Sequence, residues 1–288
     1  MAELVESVSY PEYESWPAMR CSTLTWGLLS MEHLKAAQDG RLKKTSAALS
    51  LGKAIHTRLL EPRRYKDDYV VAQPCEILLK TGKRAGEACC ARAAGLTAMG
   101  QWACSKHGAV DELPEEVVTE DEAARLEAIY NRVCQHDVIH LFRQHGGCEV
   151  CVKWEYGGLP LKCRLDKLIL EGSCPPTIVD IKKVAVGRGG DERFSYAVRD
   201  YHYDVQAAYY VDAVEQATGA RCVFIWVIVE DDYPHSVNVI QCDPATLDIG
   251  RGKYQQLLSQ YKLCLESDRW PGYSDRVHFG GLPEYLKR

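Results

Sequence analysis

With 288 residues, 46% of them hydrophobic, the chain can bury a full core, and its size fits one large catalytic unit. The formal charge of −5 excludes a globally basic nucleic-acid binder, so any contact with DNA has to come from a local surface. The longest apolar run, Cys222 to Val229, is too short to span a bilayer, and the first residues lack a basic, apolar leader, so a soluble cytoplasmic protein is expected.

In chain order, the first twenty residues are acidic and contain Pro11 and Pro17, which reads as a loosely structured arm ahead of a single domain over 21–288. Helical patterns follow over Ser22–Ala37 and Thr45–Leu60; in the second, Leu51, Ile55 and Leu59 recur at helical spacing until Pro62. His56 shares a face of that helix with Gly52 and Leu60. Around it lies the one basic stretch, including Lys35, Arg41, Lys43, Lys44, Lys53, Arg58, Arg63, Arg64 and Lys66 against Asp39 and Glu61. By itself this reads as a solvated helix face; Lys53 and Arg58 are its candidates for DNA contact. The segment Gly82–Ala109, rich in Ala, Gly and Cys, is expected to contain a further helix, and Glu122–His136 another.

From Cys148 the pattern turns to strands. Glu149–Tyr156 and Leu159–Leu170 alternate around Gly157-Gly158, a two-residue hairpin turn, and Thr177–Val184 forms a third strand. Gly187, Gly189 and Gly190 mark a mobile connection to a helix over Tyr203–Ala217 that ends at Gly219. Strands at Arg221–Val229 and Ser236–Cys242 and a helix over Leu247–Glu266 complete an α/β core. Thirteen cysteines without an export signal imply reduced thiols or metal ligands. Cys148 and Cys151 form a CxxC with Cys163 and Cys174 downstream, but residues three apart on a strand face opposite ways, so ordinary buried thiols are expected there.

The chemistry lies in TIVDIKKV. Asp180 and Lys182, two apart on a strand, share a face, and Asp180 follows the apolar pair Ile178-Val179, which implies a buried carboxylate beside a lysine. A hard divalent cation seeks carboxylate oxygens, and a nearby ammonium can orient water or neutralise charge on phosphoryl oxygens. Asp166, on the neighbouring strand, supplies a second carboxylate, and the Ile181 carbonyl a further ligand. Taken alone, an Asp-x-Lys on a strand more often describes a salt-bridged surface edge.

Four blocks carry a resemblance: LGKAIHTRLLEP at 51–62, WEYGGLPLKCRLDKL at 154–168, IVDIKKV at 178–184 and YHYDVQAAYYVDA at 201–213. In order and spacing the sequence resembles the exonuclease VIII (RecE-type) nucleases of phages and prophages, within the PD-(D/E)xK superfamily. The resemblance implies an α/β PD-(D/E)xK nuclease core with a central mixed β-sheet flanked by helices. It implies that His56, Asp166 and Asp180 hold metal and that Lys182 is the catalytic lysine. Gln206 and Tyr210 match a Gln-x-x-x-Tyr helix motif that contacts a DNA phosphate or braces the lysine, and Glu149 matches an acidic position at the start of the hairpin. Leu165 stands where the superfamily has its proline, and Lys183 where relatives often carry a small hydroxyl residue.

The expected function is a magnesium-dependent double-strand DNA exonuclease, with manganese as a substitute, working 5′ to 3′ to leave 3′ single-stranded tails for recombination. A closed homo-oligomeric ring and a single-strand annealing partner follow from the resemblance alone. The alternatives are a structure-specific or single-strand nuclease on the same fold, and a DNA-binding module that has lost hydrolysis.

Overall fold

The structure, a computed structural model, describes residues 2–6, 8–42, 47–91, 93, 95–108, 111–112, 116–170, 175–274, 276–277 and 281. Lys43, Lys44 and Cys174 lie outside the described residues. The N-terminal segment is not an arm. It contributes β1 (Glu3–Val5), α1 (Tyr10–Ser15) and β2 (Met19–Arg20), with β1 antiparallel to one strand of the central sheet and β2 parallel to another. The buried Lys162 ammonium explains why it stays: it donates to the carbonyls of Tyr13, Glu14 and Trp16 at 2.8, 3.0 and 2.9 Å. A buried lysine needs such acceptors, and three carbonyls at the end of α1 supply them.

The expected helix over Ser22–Ala37 is split into α2 (Cys21–Leu24), a 3-10 turn and α3 (Met31–Gln38), because the Ser30 hydroxyl caps a new helix by accepting from the His33 amide. Next come α4 (Ala47–Leu60) and α5 (Pro62–Asp68); Pro62 ends the first helix and also opens the second, where its missing N–H costs nothing. Beyond β3 (Val70–Ala72) the expected helix in Gly82–Ala109 does not form among the described residues, apart from one 3-10 turn at Ser105–His107. That stretch holds β4 (Gly95–Leu96), β5 (Trp102–Ala103) and turns, followed by β6 (Asp111–Glu112). Positive φ at Gly82, Gly86, Cys90, Gly100 and Gly108 keeps it out of a helix. After β7 (Val117–Thr119), α6 (Glu120–Gln135) starts at a reciprocal Thr119–Glu122 capping box and is followed by α7 (Ile139–Arg143).

The hairpin is β8 (Gly146–Tyr156) and β9 (Leu159–Ile169), turned by Gly157 and Gly158, both at positive φ. Then follow β10 (Thr177–Val184), α8 (Asp191–Asp200), α9 (Tyr203–Thr218), β11 (Val223–Glu230), β12 (Val237–Gln241) and α10 (Pro244–Ser267). The connection after β10 is tied down, since the Glu230 carboxylate accepts from the Gly187 amide at 2.8 Å. The central sheet runs β1-β8-β9-β10-β11-β12, with β10 and β11 parallel and the other neighbours on that path antiparallel. One face packs on α9 and α10 through residues such as Ile178, Phe224, Tyr209 and Leu257; the other packs on α4 and α6 through Val179, Ile181, Ile55 and Leu126. The sheet is thus a mixed one flanked by helices. Among the described residues, no helix is long and apolar enough to cross a membrane.

Candidate active site

Strand separation makes the site. β9 and β10 are paired only where Lys167–Ile169 face Thr177–Val179. One step further the ladder stops, and the Asp166 carboxylate takes the place of a strand by accepting from the Ile181 amide at 2.8 Å. Asp180 continues the alternation that buries Ile178 on the α9 side and is 1% exposed. Lys182, two residues on, sets its ammonium 2.6 Å from Asp180 Oδ2 and 2.8 Å from Gln206 Oε1, and Gln206 Nε2 donates to Asp180 Oδ1 at 3.1 Å. Gln206 comes from the first turns of α9 and locks the lysine–aspartate pair from above.

From the opposite face α4 brings His56, whose Nδ1 lies 3.2 Å from Asp166 Oδ2. Gly52, one turn earlier, has open space where a Cβ would stand, and both residues line the cleft. Glu149 lies where the β8–β9 register would set it across from Asp166, between the pairs Cys148↔Lys167 and Val150↔Leu165. Its φ of 55° lifts it out of the ladder, and Arg164 binds its carboxylate at 2.8 Å. Glu149, Asp166, Ile181, Lys182 and His56 border one cleft of about 1910 Å³, with Asp180 beneath its floor.

The electrostatics are those of anionic groups crowded together. Burial pushes Asp180 up to about 6 against the pull of Lys182, and Asp166 adds to the rise. Burial, reinforced by Asp166, also raises Glu149. Burial works against ionising Asp166, but His56 outweighs it and holds the carboxyl below its usual range. Burial likewise opposes charge on Lys182, and Asp180 with the Tyr203 ring, 4.5 Å from Nζ, keeps the ammonium above its ordinary value. The donor chemistry fits a hard divalent cation. Hard carboxylate oxygens and an imidazole stand together, with Ile181 lining the same cleft, and the burial and the repulsion by Asp166 that lift Asp180 and Glu149 are what a cation relieves.

The structure brings His56, Glu149, Asp166, Asp180, Ile181, Lys182 and Gln206 together. It does not bring Tyr210 or Arg58 to the cleft. The Tyr210 ring packs beside Tyr209 and Phe224, each 6.4 Å away between centroids. Arg58 is 5% exposed, donates twice to Glu127 at 2.7 and 2.9 Å, and stacks 3.5 Å from the Tyr130 ring. Lys53 lines the cleft with its ammonium on Glu116 at 2.8 Å. Sequence reasoning missed Arg164, which faces the site because it stands two residues before Asp166. It also missed Tyr203, Arg188 and Arg193, which line the cleft from α8, α9 and the turn before them.

A split mixed sheet with Asp166, Asp180 and Lys182 at the split defines the class, the PD-(D/E)xK nuclease fold. Residues 21–280 match the family described as a PDDEXK-like domain of unknown function (DUF3799), and the chain belongs to that family. A solved structure from Eubacterium rectale, provisionally assigned as an exonuclease, is similar over 97% of both chains, with a TM-score of 0.61 and 16% identity. The crystal structure of SSO0001 overlaps 47% of this chain and 68% of its own, at 18% identity and a TM-score of 0.26, too low to bear on the fold. No curated protein matches the chain. Nucleases of this superfamily generally use divalent metal ions.

Proposed function

We propose that the protein is a magnesium-dependent exonuclease that degrades double-stranded DNA from 5′ ends and leaves 3′ single strands. The observation that carries this reading is the Lys182–Asp180–Gln206 unit, its aspartate buried, facing Asp166 and His56 at the floor of an open cleft. A pure binding module gains nothing from burying the Asp180 carboxylate and withdrawing Asp166 and Lys182 most of the way from solvent, since desolvating an ion costs several kcal/mol.

Asp166, Asp180 and the Ile181 carbonyl would hold the cation, with His56 and Glu149 at its edge. When bound, it supplies positive charge against the negative charge that develops on the phosphoryl oxygens. Lys182 keeps its proton and, from its place beside Asp180 and Gln206, would present an ammonium to the attacking water and the scissile phosphate. Gln206 limits where that ammonium can go. His56 fixes the orientation of Asp166. Lys53, Lys183, Arg188 and Arg193 line the cleft and suit sequence-independent phosphate contacts. A ring of identical chains and a single-strand annealing partner belong to the same proposal and rest on the resemblance to RecE-type nucleases.

The test is digestion of linear duplexes labelled separately at the 5′ and 3′ ends, beside closed circular duplex, with magnesium. Release of 5′ label first, with intact circles, is expected. Cutting of closed circles favours an endonuclease on the same fold, and binding without strand loss favours the non-hydrolytic module.

A further inference from the structure

The segment from Gln73 to Glu112 lies between β3 and β7. None of the three apolar clusters draws on any of its described residues. Its small sheet, β5-β4-β6, is made of two-residue strands. So little apolar burial cannot hold a lobe of this size against its conformational entropy. Something else must organise it.

At its centre Cys75, Cys89, Cys104 and His107 put three thiol sulfurs and one imidazole nitrogen within 4.8 Å of one another. His107 Nδ1 lies 3.3 Å from Cys75 Sγ and 3.4 Å from Cys104 Sγ, and Cys89 Sγ lies 4.0 Å from Cys104 Sγ. A tetrahedron with zinc–sulfur bonds near 2.3 Å and a zinc–nitrogen bond near 2.0 Å has edges of about 3.5–3.8 Å, which these separations bracket. A cluster of several irons would spread its thiolates further apart than one ion does.

The backbone is shaped for thiolates as well. The amide of Ile77 reaches the Cys75 sulfur, that of Ala91 the Cys89 sulfur and that of Lys106 the Cys104 sulfur, while the His107 amide closes the turn on the Cys104 carbonyl at 2.9 Å. Each sulfur therefore accepts from an amide two residues on, a turn that stabilises sulfur as an anion. Cys90 and Gly108, immediately after two of the four residues, take positive φ, which tightens both turns. Cys75 and Cys104 are buried and the other two half-buried, as a structural rather than an open site requires.

We infer that Cys75, Cys89, Cys104 and His107 form a structural zinc site that folds the 73–112 lobe in place of an apolar core. It is separate from the carboxylate site, has no hydrolytic role, and binds a softer metal through a different donor set. Three thiols lose their protons on binding, so ligation gives one zinc, three thiolates and one neutral imidazole with release of three protons.

The test uses the full chain purified without chelator, with total metal measured by mass spectrometry and cysteine alkylation mapped by peptide. About one zinc per chain is expected, with Cys75, Cys89 and Cys104 labelled at least roughly tenfold more slowly than the exposed neighbour Cys90 until a chelator is added. Cys104→Ser is expected to lose the zinc. Should that variant not fold, the wild-type labelling pattern still decides. Protein that neither carries nor takes up zinc overturns the inference. So does zinc that leaves these three thiols as reactive as Cys90, or iron with acid-labile sulfide in its place.

Discussion

Arg58, away from the cleft, and Lys182, lining it, are both cations largely withdrawn from solvent, and what they touch separates their roles. Arg58 is satisfied by groups of the scaffold: a bidentate Glu127 and the faces of Tyr130 and Tyr65. Among the described residues Lys182 is held by Asp180 and Gln206, with the Tyr203 ring beside it, and a metal would draw Asp180 away. Arg58→Ala is therefore expected to lower stability by about 1–3 kcal/mol, mostly through lost cation–π packing and burial. Its KM for duplex DNA should stay unchanged when measured below the melting temperature. A raised KM with unchanged stability would restore Arg58 to the DNA surface.

At the scale of elements, α9 matters most, because it carries Gln206 to the lysine. Its position depends on α10, where Gly250 lets the backbones meet: a Cβ there would stand 2.1 Å from the Asp204 carbonyl oxygen, two residues before Gln206. Gly250→Ala is expected to force the helices apart, costing about 1–3 kcal/mol and lowering kcat with little change in KM. Denaturant unfolding and steady-state kinetics on one preparation check both.

The elements that build the site were legible in sequence because local pattern determines them. β10 occupies Thr177–Val184 as expected, α9 and β9 fall within a residue of expectation, and β8 starts three residues early, at Gly146. The N-terminal strands were not legible, since their order comes from Lys162, far along the chain. Nor was α8, whose start is hidden behind Gly187–Gly190. The lobe over 73–112 misled because alanine content suggests a helix, while its glycines and Cys90 turn the chain at left-handed φ. In the candidate site, the shared face of Asp180 and Lys182 was readable from their spacing on a strand, whereas His56 was placed there by the resemblance alone. Arg164 and Tyr203 required the register of β9 and the approach of α9.

For the molecule as a whole, the buried carboxylates link metal, pH and stability. Burial pushes Asp180 up to about 6, so the folded protein without metal keeps that proton where the unfolded chain has lost it. The stability contributed by Asp180 is thus full below the ordinary carboxylate range and declines as pH rises toward about 6. Above that, a divalent cation offsets the trapped charge. Magnesium is expected to raise the melting temperature by several degrees at about pH 8 and hardly at all at about pH 5. Asp166→Ala should abolish that response, and an equal rise at both pH values would place magnesium elsewhere.

The central claim is that the Asp166–Asp180–Lys182 unit hydrolyses DNA. The most direct test is magnesium-dependent release of nucleotides from linear duplex DNA by the wild-type chain and by Lys182→Ala, with folding of both verified by circular dichroism. A folded variant slowed by about 10²–10³-fold or more is predicted. A wild-type chain that releases nothing with magnesium or manganese, or a variant that cuts as fast as the wild type, would contradict it.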